Sequence, residues 1–129
     1  MVKTVGIICE YNPFHNGHKY QIDQIKDKYP DATVVSIMSG NVTQRGDFSV
    51  TDKYTRARIA VECGVNAVVE LPFPYCSSTA EFFANAGVEL AYKIGCDAIC
   101  FGTEFYEYNE LYKIALLINS KEFQLIMFF

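Results

Sequence analysis

His15 and His18 stand three positions apart in the stretch GIICEYNPFHNGHKYQI, residues 6–22, on either side of an Asn-Gly pair. An imidazole serves as a ring N–H donor, a proton carrier or a metal ligand, according to its surroundings. The stretch begins as a buried strand and ends as the opening of a helix, so the histidines occupy the turn at a strand's carboxyl end. In an open parallel α/β sheet, ligands bind there. A helix starting near Gly17 would turn its free N–H groups and positive dipole end into the same crevice. Gly17 lets backbone come close to a ligand, and Pro13 stiffens the entry to the turn. Donors converging on a helix N-terminus suit a phosphate ester, and better still a phosphorus centre whose oxygens gain charge in a transition state. A charged His18 bonded to phosphate would contribute about 1.5–3 kcal/mol to binding. Three other readings of these residues stay open: a plain Asn-Gly turn with solvated histidines, a histidine acting as a helix cap, and a metal pair. For the metal, Glu10 is the only nearby carboxylate.

The elements that must carry this turn follow from the pattern of apolar residues. VKTVGIIC, ATVVSIM, NAVVELPF and DAICF are β-rich runs of strand length, continuous rather than alternating. Parallel strands covered on both faces read that way. Strands are expected near 2–9, 33–38, 66–71 and 97–101. Between them lie the helical segments GHKYQIDQIKDKY, TDKYTRARIAVECG and STAEFFANAGVELAYKIG. The second has Thr51 or Asp52 as N-cap and stops at Cys63-Gly64. The third opens on Ser77-Ser78-Thr79 with Glu81 placed for a capping box, and stops at Ile94-Gly95. Strand, helix, strand, helix with short links predicts a doubly wound parallel α/β sheet with the first strand central. YNELYKIALLINS reads as a fourth helix and KEFQLIMFF as a fifth strand with no helix to cover it.

With 129 residues, half of them hydrophobic and a fifth charged, the chain suits one globular domain over 1–129. Its apolar runs break well before the length of a membrane span, and the N-terminal one is too short for a signal-peptide core. A cytoplasmic protein is expected, with neither membrane nor DNA as partner. Five cysteines without a CxxC pair read as small buried hydrophobes in a reducing compartment. A net charge of −4 argues against a general nucleic-acid surface, although Arg45, Lys53, Arg56 and Arg58 cluster.

Four blocks in order, EYNPFHNGH, MSGNVTQRGD, DKYTRARIAVECGVNAVVELPF and CFGTE, resemble the bacterial tRNA(Met) cytidine acetate ligase family. HNGH itself resembles the HxGH signature of the nucleotidylyltransferase superfamily, whose members attack the α-phosphate of a nucleotide and expel pyrophosphate. The resemblance runs from Val5 to about Glu104. It implies a Rossmann-like fold, activation of acetate by ATP to acetyl-adenylate, and acetylation of the wobble cytidine of elongator tRNA(Met). Mg²⁺ would arrive with ATP, held mainly by its phosphates. Carried onto this sequence, the resemblance implies an ATP-contacting run of Ile8, Cys9, Glu10, Tyr11, Asn12, Pro13, Phe14, His15, Asn16, Gly17, His18, Lys19, Tyr20 and Gln21. His15 and His18 would hold the phosphates, and Gly102 would lie close to the nucleotide.

The SGNVTQRGD loop follows the second strand and opens toward the same crevice. Ser39, Gly40 and Asn41 are candidates to line the site, with Gln44, Arg45 and Gly46 recognising the acyl group or tRNA; an ordinary solvated charge also accounts for Arg45. Lys53 and Arg56 share a helix face by spacing, either for tRNA phosphates or as solvated charges. Members of the family are far longer. Their further ATP-contacting residues, their tRNA-holding part and the late basic and hydroxyl motif of HxGH sites find no counterpart before Phe129. A fragment that keeps the front half of the site, inactive alone, is therefore expected. Another adenylyl- or cytidylyltransferase with a small acceptor, or a nucleotide-binding fragment without catalysis, remains as an alternative.

Overall fold

The structure, a computed structural model, describes residues 2–103 and 108–118. Its elements run β1 (Thr4–Cys9), α1 (Asn16–Lys28), β2 (Thr33–Ser39), α2 (Lys53–Glu62), β3 (Ala67–Leu71), α3 (Ala80–Lys93), β4 (Ala98–Ile99) and α4 (Tyr108–Ile118). The four strands form one sheet in the order β3-β2-β1-β4, and every pairing is parallel. The doubly wound sheet with an interior first strand, expected from the alternation of runs, is the fold observed. The segment read as a fifth strand lies outside the described residues. Among the described residues no helix is long and apolar enough to cross a membrane.

Helices cover both faces. Ile22 and Ile25 of α1 and Ala60 of α2 bury against Val5, Ile7, Val34 and Met38 on one side. Ala91 of α3, with Phe83, Ala86 and Leu90, packs with Ile37, Leu71 and Ile8 on the other. Strand residues thus face an apolar layer either way, which is why the runs show no polar alternation. α3 lies unusually close to β1. A Cβ on Gly87 would come within 2.8 Å of the Ile8 side chain, and one on Gly6 within 3.2 Å of the Cys96 sulfur.

Local signals set the element ends. Asp52 caps α2 by accepting from the Thr55 N–H at 2.9 Å, and Gly64 at φ 112 and Gly95 at φ 81 follow α2 and α3 in the left-handed region. The capping box expected with Glu81 does not form. Thr79 is the cap and accepts from Phe82 N–H, so the third helical position belongs to Phe82. β4 is shorter than its apolar run because its ladder to β1 pairs only Val5 with Ala98 and Gly6 with Ile99. Its start is tied by Asp97, whose carboxylate accepts from the Lys3 and Thr4 N–H groups at 2.8 and 2.9 Å.

The chain runs outward from β1 through β2 to β3, then returns through α3 to the opposite side of β1. That reversal puts a switch point between the carboxyl ends of β1 and β4, where open α/β sheets bind ligands.

Candidate functional site

The histidine turn is built from beneath. Tyr11 is buried, at φ 49 in the left-handed region, and its hydroxyl pairs with Ser36 Oγ of β2 at 2.7 Å. The Tyr11 ring meets Phe14 and His18 edge-on, with centroids 4.9 and 5.0 Å apart. His15 then stacks on His18 at 3.7 Å. Each histidine spends its Nδ1 on backbone. His15 Nδ1 accepts from Gly17 N–H at 3.1 Å, and His18 Nδ1 accepts from His15 N–H at 3.2 Å. A ring that accepts at Nδ1 carries its proton on Nε2, so each histidine keeps an Nε2–H donor that its cap does not use.

Two expectations change here. His18 is held neutral: burial, and then the neighbouring His15, pull it below the usual histidine value. The charged His18 considered from sequence is therefore not the form this fold favours. Nor is the helix end a row of free donors, because Gly17 N–H serves the His15 ring, while His18 and Lys19 N–H both donate to the His15 carbonyl. Histidine caps the helix, and the remaining donors are ring nitrogens.

A cleft of about 720 Å³ opens at the switch point. From the sequence-derived set, Ile8, Cys9, Glu10, His15, Gly17, His18, Tyr20, Gln21 and Gly102 line it. A Cβ on Gly102 would meet nothing within 4 Å. Gln21 reaches across, donating from Nε2 to the Cys100 carbonyl at 3.3 Å. Cys9 is a neutral thiol, pushed up to about 12 by burial, so it offers no thiolate at neutral pH. Sequence reasoning missed Gln24, Cys100, Phe101 and Thr103 in the lining; Gln24 is on α1, and the place of the other three beside β1 becomes visible only once β4 is known to pair there.

The rest of the run 8–21 supports the site without lining it. Asn12 Oδ1 accepts from Val50 N–H at 2.7 Å, and Lys19 pairs with Asp23. Tyr11 and Phe14 form the floor of the turn, while Pro13 and Asn16 are exposed. The loop after β2 also departs from its expected place. Ser39 and Gly40 are buried at the end of β2, and Asn41 Oδ1 accepts from Lys53 N–H at 2.8 Å. Gln44 N–H donates to Glu10 Oε1 at 2.6 Å, and its side chain donates to the Ser78 carbonyl. These residues fasten the loop; of its candidates Asn41, Arg45 and Gly46 stand exposed, and Asn41 is tied through its side chain to the start of α2. Lys53 is paired with Glu70 at 2.6 Å. Arg56 corrects the shared-face reading: it is 1% exposed, and its guanidinium is taken up by backbone carbonyls. It presents nothing to tRNA phosphates.

A family model described as HIGH Nucleotidyl Transferase matches residues 2–127. The chain belongs to the HIGH nucleotidyl transferase family. Among curated relatives, the tRNA(Met) cytidine acetate ligase of Ligilactobacillus salivarius is 44% identical over 95% of this chain and 33% of its own length. That of Anoxybacillus flavithermus is 43% identical over 94% of this chain and 30% of its own length. The Thermotoga maritima TmcAL structure bound with alpha-thio ATP superposes with a TM-score of 0.84 at 36% identity, covering 90% of this chain and 28% of that one. The chain therefore spans about a third of the length of these relatives. The resemblance read from its four motif blocks holds, over that share of the relatives.

Proposed function

We propose that this chain carries the ATP-binding part of a tRNA(Met) cytidine acetate ligase. In that reaction an acetate oxygen attacks the α-phosphorus of ATP, the bond to the β-phosphate oxygen breaks, and acetyl-adenylate and pyrophosphate form. The acetyl group then passes to the exocyclic amine of the wobble cytidine in elongator tRNA(Met), and AMP leaves. The observation that carries the reading is the pair of Nε2–H donors at the mouth of a switch-point cleft, in a chain 44% identical to a ligase of that name. Neutral N–H donors hold phosphate oxygens and strengthen as those oxygens gain charge. Tyr20 and Phe101, 65% and 66% exposed on the cleft walls, offer ring faces to a base. Gly102 leaves room for a ligand beside β4. Mg²⁺ bound to ATP would neutralise phosphate charge. Arg45 is the exposed basic side chain of the loop for the acyl group or tRNA. Cytoplasmic work on tRNA fits this reading.

One observation favours a second reading for the chain taken alone. Among the described residues, no Lys or Arg lines the cleft. Phosphoryl-transfer sites surround the reacting group with such charge, so nucleotide binding without turnover is the expected behaviour of these 129 residues. The test is a titration of labelled protein with ATP or a non-hydrolysable analogue. Amides of Asn16, Gly17, His18 and Gly102 should move together, and His18→Ala should weaken the response by about 1–2 kcal/mol. Zinc moving both rings while ATP does nothing would favour the metal pair instead.

A further inference from the structure

We propose that Arg56 is a positioning residue for the histidine turn: its buried guanidinium fixes how β1 leaves the sheet, and so where His15 and His18 aim. The functional consequence rests on the nucleotide reading above. The geometric claim stands without it.

Parallel strands that stop together leave carbonyls at their carboxyl ends with no N–H to meet them, and buried ones must find donors. Arg56 supplies five in one rigid fork. Nη1 donates to the carbonyl of Glu10, just past β1, and to that of Ser39, which ends β2, at 3.3 Å. Nη2 donates to the Gly40 carbonyl and to Ser49 Oγ at 3.2 Å, and Nε to the Thr51 carbonyl at 3.2 Å. No carboxylate is among these partners, so carbonyl dipoles hold the buried charge.

Two routes lead from this knot into the turn. Glu10 is the residue before Tyr11, whose left-handed φ of 49 is costly for a side chain this large. Arg56 pins the peptide on one side of that bend, and Ser36 pins the Tyr11 hydroxyl on the other. Tyr11 in turn supports the His18 ring. The second route passes through the loop. Ser49 and Thr51, both held by Arg56, flank Val50, whose N–H fixes the Asn12 side chain at 2.7 Å. A lysine keeps the charge but cannot span these acceptors with one ammonium.

Arg56→Lys in the 129-residue chain tests this. Long-range ¹H–¹⁵N spectra of the histidine rings report which nitrogen carries the proton, and an ATP titration reports affinity. Arg56→Lys should retain its helical circular dichroism and α3 amide shifts. It should lose the fixed Nε2–H pattern of His15 and His18, and raise the Kd for ATP about tenfold. A purely structural arginine would lower the unfolding midpoint and leave ring signals of the folded protein unmoved; that result overturns the proposal. If Arg56→Lys does not fold, Ser49→Ala decides, because it removes a partner of the guanidinium itself, keeps the buried charge and lies outside the histidine turn. Shifted rings there support the proposal, and unmoved rings overturn it. Absence of any ATP response in the unaltered chain would remove the nucleotide reading, while the ring spectra would still decide the role of Arg56.

Discussion

Gly17 shows what the HxGH spacing demands of its third residue. A Cβ there would stand 3.0 Å from Cε1 and 3.1 Å from Nδ1 of His15. The ring folds back over the very amide it caps, so a methyl must displace it by a few tenths of an ångström. Gly17→Ala should therefore lengthen the cap and weaken the ATP response, although alanine is the better helix former. An amide titration beside the unaltered chain checks this; an equal response would show that the close fit does not matter. His18 gives a pH dependence. Its folded value lies below the usual one because burial, then His15, disfavour the cation. Above about pH 6.5 both folded and unfolded forms are neutral there and nothing is lost. As pH falls below that value the unfolded chain takes up a proton that the folded chain resists, so stability declines until the folded value is passed. His18→Gln removes the ring and should show a smaller fall in urea midpoint between pH 7.5 and 5.5. The place of the histidines at the end of β1 was legible in the sequence, but their use as a helix cap was only one of several readings that spacing left open. Arg56 was not legible, because spacing along α2 places it beside Lys53 without telling which side meets the strand ends.

At the scale of elements, the closeness of α3 to β1 was invisible to periodicity. Gly87 reads as a weak point in a helix, yet it is the contact that lets α3 descend onto Ile8. Ile8 also lines the cleft, so the helix that closes one face of the sheet bears on the site wall. In an exposed helix Gly→Ala stabilises by roughly 0.5–1 kcal/mol. Here the new Cβ would lie 2.8 Å from Ile8 Cδ1 and Cγ2, and overpacking of that kind costs about 1–3 kcal/mol. Gly87→Ala should thus destabilise, and Ile8→Val should recover part of the loss when the two are combined. Urea denaturation of the four variants measures the coupling; purely additive effects would show that the helix simply shifts aside. That β1 lies inside a parallel sheet was legible because short links between alternating runs leave few topologies, whereas the order β3-β2-β1-β4 came only with the structure. The lengths of strands were less so, since β4 ends where its pairing ends rather than where its apolar run does.

At the scale of the molecule, charge and length bear on what this chain can do alone. Its net charge is −4 and the cleft is lined, among the described residues, without Lys or Arg. The donors it offers come from the α1 side of the cleft. A reacting α-phosphate needs charge stabilisation around its equatorial oxygens, and losing even one preorganised donor commonly costs about 10²–10³ in rate. Relatives three times as long have room to supply the opposite side. An acidic surface also gains little from releasing counterions on tRNA. The 129 residues are therefore expected to respond to ATP, to give little or no acetate-dependent ATP–pyrophosphate exchange, and to transfer no labelled acetate to elongator tRNA(Met). Run beside the full-length Ligilactobacillus salivarius ligase, the same assays should separate binding from turnover. Exchange at the longer protein's rate would show that the histidine side of the cleft suffices for adenylyl transfer.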